Sequence, residues 1–455
     1  MRNKRITNFL IWVPITLAVW ASAYVNLPLF QDGAAYLLQL VQTESVAVMH
    51  KRFSAFLFQF PTVIIVQGFT SVLSPIPRKM EFIRFSFSFS YALIPFISFI
   101  LSWLAIRRRD RAKRLLIWPA LIILFINLVN FSWVSEILIA LQLSCPLLLV
   151  SIIRPSTRKS WYLRLPLLIV VLLLHPLVIV IFSTFVLGML YLAYQHPHQR
   201  KDYLHNAALF LGSAILRLLL SVGRMSTYEE SFIEPHNMKH YLFTTTFENQ
   251  LFLAIALILA SLCLFARAIA PTSQKLTYLY RLGMCLAVLG PCILVSQYQY
   301  ADFQLKTGLS ILLSLVLFLM VCIDSTFTLE QDSAATLLHE KGLRLNVITV
   351  LAVMFSLVIL VKSLIWQTAV QKLQQTLATT PHGCLELVAD ELSWRYQPGH
   401  KIINTWAITS LALLEQDHAP RTVLLEQDCQ TYWDTGQVTI QPWGTFPKEM
   451  VIPAL

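Results

Sequence analysis

Charge is scarce in this chain, because Asp, Glu, Lys and Arg together supply only 13% of its 455 residues. A soluble domain usually carries about 25% charge, so there is too little polar side chain to cover a soluble surface. This excludes a soluble enzyme and an intrinsically disordered chain. Cysteine is also sparse, with seven residues, most of them inside apolar runs. A secreted scaffold built on disulfides is therefore excluded as well.

Several catalytic signatures are missing too. The sequence contains no Gly-rich dinucleotide loop after a strand, no P-loop, no Cys/His spacing typical of a metal site and no nucleophile elbow. We also find no internal repeat. A nucleotide-dependent or metal-dependent soluble fold is thus not indicated.

Apolar residues, in contrast, make up 56% of the chain and form many runs long enough to cross a bilayer. This predicts an all-α polytopic membrane protein, since a transmembrane barrel would show weak alternation instead. The 35 basic and 24 acidic residues leave a net charge of +11. The basic residues cluster between apolar runs, which is the pattern that sets membrane orientation, so no nucleic-acid partner is predicted.

Orientation follows from two basic segments. The basic N-terminus precedes the first run, 8–27, which we interpret as an uncleaved span, although Ala21-Ser22-Ala23 also resembles a signal-peptide cleavage site. The strongest basic cluster, 107–114, follows the run 86–106 and is placed in the cytoplasm. The aromatic stretch 53–73, followed by Arg78, Lys79 and Arg84, then lies outside as one or two surface helices; a membrane crossing is the alternative.

The remaining runs complete a topology of about eleven spans. A break is expected at His175-Pro176, because proline disrupts helix interiors. Polar loops are expected outside at 223–248 and 298–306, and inside at 271–281 and 324–344. The N-terminus is cytoplasmic and the C-terminus outside, with predicted spans at 8–27, 86–106, 115–131, 134–153, 165–175, 175–193, 206–222, 249–270, 282–297, 307–323 and 345–366.

Composition divides the chain into a transmembrane domain, 1–366, and a polar tail, 367–455. The transmembrane domain includes an extracytoplasmic loop with surface helices, 28–85. The tail is long enough for a small extracytoplasmic α/β domain. In an oxidising compartment Cys384 and Cys429 could form a disulfide, and two unpaired thiols are an equally simple interpretation.

Two acids stand at the predicted outer face. Asp32 follows the first span beside Gly33, and Glu136 lies on a tight turn between two spans. Each also fits a structural role at the start of a helix, as an N-cap or as a first-turn partner of the helix dipole. If they act chemically, a carboxylate there could remove a proton from an acceptor group as general base.

Cations and polar groups are predicted at the same face. Arg217 lies in an apolar span, and a buried arginine needs an anion such as phosphate or a carboxylate. A lone His175 is more often structural than functional. Cations beside a lipid phosphate could stabilise a departing group; the predicted substrate-binding residues are His175, Arg217, Arg224, Tyr300 and Lys306.

This arrangement resembles the GT-C superfamily of membrane glycosyltransferases, which includes protein mannosyltransferases and lipid A aminoarabinose transferases. The resemblance covers the layout of about residues 1–220: a first span, an outer loop with an acidic motif at Gln31-Asp32-Gly33, and a second acid at Ser135-Glu136. It implies that Asp32 is the catalytic base and that Glu136 binds acceptor or metal. Each loop has one acid where many members have two, so no metal or other cofactor is expected, although a divalent ion stays an option.

The resemblance implies a polyprenyl-phosphate-sugar donor held in membrane lipid and a glycan, lipid or protein acceptor outside the cell. No nuclear or eukaryotic retention signal is evident in the sequence, which favours a bacterial inner membrane as the location. The rival hypothesis is a transporter or a flippase for lipid-linked sugars, which would place charges at mid-membrane in several spans.

Overall fold

A computed structural model describes most of the N-terminal half of the chain and selected parts of the rest. The described residues are 2–30, 32–47, 56–72, 79–107, 109, 111–132, 134–153, 158–221, 303–330, 334–379, 383–386, 405–415, 422–425, 434–435, 437–440 and 444–447. The predicted spans 249–270 and 282–297, and the site residues Arg224 and Tyr300, lie outside them.

Helices dominate the described part. Short 3₁₀ turns at Leu27–Leu29, Arg111–Leu116 and Pro197–Gln199 join some of them. The helices are α1 Arg2–Tyr24, α2 Asp32–Thr43, α3 Phe56–Val72, α4 Lys79–Ala92, α5 Ile94–Ile106, α6 Ile117–Val129, α7 Glu136–Ile153, α8 Arg158–Leu172, α9 Val178–Gln195, α10 Arg200–Ser221, α11 Phe303–Glu330, α12 Ala334–Thr379 and α13 Thr405–Leu414.

The membrane class predicted from composition is confirmed. Among the described residues, six helices are long and apolar enough to cross a bilayer, and four shorter apolar helices accompany them. The six are Met80–Ile106 (α4 followed directly by α5), Glu136–Ile153, Val178–Gln195, Pro197–Ser221 (a 3₁₀ turn followed directly by α10), Gly308–Thr326 and Ile348–Thr379. The chain is therefore a helical membrane protein, and the total of about eleven spans stays a prediction.

Several predicted boundaries can be compared with the structure. The break at His175-Pro176 is confirmed, because α8 ends at Leu172 and α9 begins at Val178. The loop predicted at 324–344 is wrong in extent, since α11 continues to Glu330 and α12 begins at Ala334. Polar side chains there lie on helix ends that extend beyond the apolar run. Similarly, α12 continues past the predicted end at 366 to Thr379.

Short strands occur in the tail. β1, Gly383–Glu386, pairs in parallel with β2, Thr422–Leu425. β3, Gln437–Ile440, forms an antiparallel pair with β4, Gly444–Pro447. Helix and strand thus both occur after residue 379, while a separate α/β domain stays a prediction. A disulfide between Cys384 and Cys429 also stays a prediction, since Cys429 lies outside the part of the chain that is described.

The chain forms two compact units. The first contains residues 1–15 and 94–355, and the second contains 16–93 and 356–455. The predicted division at 366 separates the tail from the rest, whereas the tail shares a unit with residues 16–93, which include the second part of α1. Each unit carries part of the predicted site.

In the first unit, α6 and α11 are antiparallel. The indole Nε1 of Trp118 donates to Oδ2 of Asp324 at 3.1 Å, near the start of α6 and towards the end of α11. At the other end Nδ2 of Asn130 donates to the hydroxyl of Ser310 at 2.7 Å. These buried polar groups are paired within the protein, as a membrane interior requires.

Helices α9, α10 and α11 meet at a cluster of aromatic rings. The ring of Phe185 lies 5.1 Å from that of Phe210 and 5.2 Å from that of Phe318. One turn further, Gly188 lies so close to α11 that a Cβ there would be 2.5 Å from Sγ of Cys322. The steps from Phe185 to Gly188 and from Phe318 to Cys322 run in the same direction, so α9 and α11 are parallel. The short link between α9 and α10 makes that pair antiparallel.

A polar network joins α7, α8 and α10. Arg164, which is fully buried, donates to Oδ1 of Asn206 at 2.7 Å and to the hydroxyl of Ser160 at 3.1 Å. Nδ2 of Asn206 donates to the carbonyl of Ser151 at 3.1 Å. The end of α7 and the starts of α8 and α10 therefore lie together.

In the second unit, α1 ends in a turn that holds α4. Asn26 has a left-handed backbone with φ 57°, which asparagine tolerates better than most residues. Its side-chain amide lies 3.2 Å from the hydroxyl of Ser88. Further along, the side-chain amide of Gln59 on α3 makes two hydrogen bonds with the backbone of Ala47. It accepts one from the N–H of Ala47 at 2.8 Å and donates one to the carbonyl of Ala47 at 3.1 Å. The chain between α2 and α3 is thus anchored at its described edge.

Candidate functional site

The first unit brings four predicted site positions to one end of its helices. Arg217 is seven residues after Phe210, and Val178 is seven residues before Phe185. Because these two phenylalanines face each other on antiparallel helices, Arg217 lies at the level of Val178, next to the turn that contains His175. The helix register thus puts the two residues at the same end of the helices, and a shared role in binding stays a prediction.

Glu136 and Lys306 lie at the same end. Glu136 and Ser151 lie towards opposite ends of α7, 15 residues and about 22 Å apart at 1.5 Å per residue. Because Ser151 belongs to the Arg164 network, Glu136 lies at the end of α7 away from that network. Lys306 is one turn before Ser310, which contacts Asn130 immediately before the turn into α7. We call this the Glu136 end, defined by Glu136, His175, Arg217 and Lys306, and the other the Arg164 end, defined by Arg164, Asn206, Trp118 and Asp324.

Glu136 is the first residue of α7 and is only 2% exposed. Every residue of α7 after it is buried as well. A carboxylate in the first helical turn complements the helix dipole. The position of Glu136 therefore agrees with the structural role predicted for it. Burial also limits its direct access to a large acceptor, which makes a positioning role more suitable for it than proton transfer.

His175 has a local structural role. Its Nδ1 accepts a hydrogen bond from the backbone N–H of Leu177 at 3.1 Å, at the start of α9. A helix start has N–H groups without partners inside the helix, and a side chain that accepts from one of them stabilises the break. The structural alternative for His175 is supported, and substrate binding by its other nitrogen stays a prediction.

Arg217 is buried, with 6% of its surface exposed, in the last turns of α10. Its backbone carbonyl accepts from the hydroxyl of Ser221 at 2.9 Å. Lys306 is placed in the first turn of α11, not in the predicted loop 298–306, since the helix begins at Phe303. The loop prediction failed at that end because the polar residues of a first helical turn look like a loop in sequence.

Asp32 belongs to the second unit, where it begins α2 and is half-buried. The N–H of Gly33 donates to the carbonyl of Phe30 at 3.3 Å, which closes the turn in front of the helix. The ring of Phe30 packs edge-on against Trp366 at 5.8 Å. Asp32 thus has the same local position as Glu136, the first residue of a buried helix after a tight turn, but it is more accessible.

Asp32 and the Glu136 end belong to different units, so their predicted convergence stays a prediction. A metal centre is likewise untested: within the described ranges no three His, Cys, Asp or Glu side chains come together. A half-open cavity of about 40 Å³ in the first unit is lined only by apolar residues, among them Phe96, Phe99 and Phe355. It offers no polar group to a sugar phosphate and is not the candidate site.

Sequence reasoning missed the buried polar groups that the structure pairs. By sequence Arg84 is a charge that flanks an apolar run, yet it is buried and forms an ion pair with Glu415 at 3.0 Å. The buried Arg164 and Asp324 are not among the site residues that the sequence predicts. A charge inside an apolar run was the available signal, but its partner lies on another helix and cannot be found from one sequence.

Comparison with known proteins adds no identification. No protein-family model, curated protein or solved structure matches this chain.

Proposed function

We propose that this chain is a membrane glycosyltransferase of the GT-C type, which moves a sugar from a polyprenyl phosphate to an extracytoplasmic acceptor. The observation that supports it is the Glu136 end: the helix register brings positions 136, 175, 217 and 306 to one end of the first unit. An acid and several cations at one membrane face suit a reaction at a lipid phosphate.

Charge distribution supports the orientation. The opposite, Arg164 end carries the exposed Arg107, Arg109, Arg200 and Lys201. Basic residues at helix ends favour the cytoplasmic side, so the Glu136 end faces outward in this proposal. Asp32 and the C-terminal tail are proposed to lie on the same outer side, in a bacterial inner membrane.

Each group has a proposed role. The carboxylate of Asp32 takes the proton of an acceptor hydroxyl or amine while the acceptor atom bonds to the anomeric carbon. The bond between that carbon and the phosphate oxygen breaks, and the electron pair leaves with the polyprenyl phosphate. Arg217 and Lys306, with Arg224, His175 and Tyr300, hold the leaving phosphate, and Glu136 orients the acceptor.

The transporter hypothesis has less support. It expects charges at mid-membrane in several spans. In the first unit, the buried Glu136, Arg217 and Asp324 lie within the first or last seven residues of their described helices. Arg164 is in the middle of α8, but its hydrogen bond to Asn206 puts it level with the end of α7. We therefore retain the enzyme as the proposal.

Transfer from radiolabelled polyprenyl-phosphate sugars in isolated membranes tests the proposal. We expect Asp32→Asn to lower the rate by about 10² to 10⁴-fold, the usual contribution of a general base, without lowering the amount of protein. The matched control is Asp202→Asn, the same change at the start of α10 and at the Arg164 end, which should leave transfer unchanged. Full activity of Asp32→Asn would remove the base assignment, and a cytoplasmic location of residue 32 in cysteine labelling would remove the whole proposal.

A further inference from the structure

The second unit contains a buried charged joint at the end of α13. Nη1 of Arg84 donates to the carbonyl oxygen of Leu414 at 2.6 Å and lies 3.0 Å from Oε2 of Glu415. Nε2 of Gln374, on α12, donates to the same carboxylate oxygen at 2.8 Å. The side chains of Arg84 and Glu415 are only 6% and 3% exposed. Three separate segments, α4, α12 and the residues after α13, therefore meet at one carboxylate.

The chemistry of this joint matches the end of a helix. The last carbonyls of a helix have no partner within it, and the helix dipole makes that end negative. The guanidinium of Arg84 meets this negative end and the carboxylate of Glu415 together. Removing one partner of a buried ion pair leaves an uncompensated charge, so loss of either side chain alone should destabilise this end of α13.

The joint lies at the end of α13, and α13 in turn contacts the helix that begins with Asp32. α13 packs against α2, and the residues Ser410 to Leu414 along it are buried. On α2 the residues from Gly33 to Leu38 are buried too. The half-buried Asp32 begins this helix, and Phe30 in front of it packs on Trp366. Asp32 thus begins a helix that packs against a segment more than 370 positions later in the chain.

We propose that Arg84 is a positioning residue, which clamps α13 onto α2 through Glu415 and Leu414 and thereby holds Asp32 in place for reaction. The C-terminal segment is then part of the site's support and not an independent appendage. The clamp itself does not depend on the activity, while its effect on catalysis rests on the proposed function.

Cysteine labelling tests the clamp without any activity. Ser410→Cys, buried on α13, is introduced with Cys384→Ser and Cys429→Ser, and its reaction with a maleimide is followed in membranes. We expect slow labelling with Arg84 and Glu415 intact, and at least about tenfold faster labelling with Glu415→Gln, because the helix opens locally. Arg84→Lys keeps the charge and should stay within about twofold of the intact rate, as should Glu81→Gln, a control at an exposed position on α4.

Equal labelling with and without Glu415→Gln, or rapid labelling of the intact protein, would overturn the clamp. If Glu415→Gln fails to accumulate, Gln374→Leu removes a single hydrogen bond at the same carboxylate. It should raise labelling by about threefold, in line with the modest net strength of one such bond, and no rise in this variant either would count against the clamp.

Transfer kinetics test the positioning role. Arg84→Gln should lower kcat by about a hundredfold, since small displacements of a reacting group are that costly, while KM for the polyprenyl-phosphate sugar stays within about twofold. Arg84→Lys should restore most of kcat. An unchanged kcat in a variant whose residue 410 has become reactive would overturn the positioning role. Failure of the unaltered protein to transfer any sugar would count against the proposed function alone, because labelling still tests the clamp.

Discussion

The two ends of the first unit differ in the polar groups that they contain. At the Arg164 end they are tied to one another across helices: Arg164 to Asn206, Asn206 to the backbone of Ser151, and Trp118 to Asp324. At the Glu136 end Asn130 is likewise tied across helices to Ser310, while His175 and the Arg217 carbonyl also make hydrogen bonds within their own chain segments. Polar bonds between helices thus occur at both ends, and the Glu136 end in addition carries the predicted site positions 136, 175, 217 and 306.

This contrast has a physical reason. Lipid provides no hydrogen-bond partners, so a polar group between membrane helices is satisfied by another helix or aims at a ligand or water. Changes at the Arg164 end should therefore lower stability, and changes at the Glu136 end should lower transfer. Three substitutions test this separation, in order of decreasing effect.

The largest effect is expected for Asn206→Leu at the Arg164 end. It removes the acceptor of a buried guanidinium and the donor to the carbonyl of Ser151, which should cost about 3 kcal/mol of unfolding free energy. Unfolding in detergent by urea measures it, with the lipid-facing Leu219→Ala on the same helix as a control expected to change by less than about 1 kcal/mol. If the loss instead appears only in transfer by the folded protein, the assignment of the two ends is reversed.

Glu136→Gln is expected to have the next largest effect. Gln keeps the shape of the buried side chain but not its charge, so transfer should fall by about a hundredfold, as for loss of one electrostatic contact in an active site. Unfolding should change by less than about 1 kcal/mol. Transfer assays and urea unfolding on the same preparation check both parts. A destabilised variant with normal turnover per folded molecule would make Glu136 a structural residue.

Trp118→Phe should have the smallest effect. It deletes the indole N–H that donates to the buried Asp324 and leaves the aromatic contact largely in place. The expected loss is about 1 to 2 kcal/mol of unfolding free energy, the cost of leaving a buried acceptor without one of its donors. Transfer should be unchanged. Asp324→Leu combined with Trp118→Phe should then be less destabilising than the sum of the single changes, and strict additivity would show that the bond contributes nothing.

Much of the helical framework could be predicted from sequence. The apolar runs predicted membrane helices, and His175-Pro176 predicted the break between α8 and α9. Prediction failed where a helix extends beyond its apolar run, as at Glu330 and Thr379. Hydropathy registers the lipid-contacting part of a helix, whereas the backbone hydrogen bonds that define its length continue into polar residues.

The candidate site was only partly predictable. Position along the chain was enough to place Glu136, His175, Arg217 and Lys306 at one end, because successive membrane helices alternate in direction. The relation of Asp32 to them, and the roles of Arg224 and Tyr300, stay predictions. The partners of Arg84 and Arg164 could not be predicted, because they depend on how each helix is rotated about its axis.

The sequence by itself determined that this protein is a helical membrane protein, since only helices can satisfy the backbone of long apolar segments in lipid. Tertiary structure alone decided that Arg84 meets Glu415, that Arg164 meets Asn206, and that α13 lies against α2. The reason is that helices apolar on most sides carry little information about which face meets which neighbour. That choice is made by close packing and by the need to pair each buried polar group.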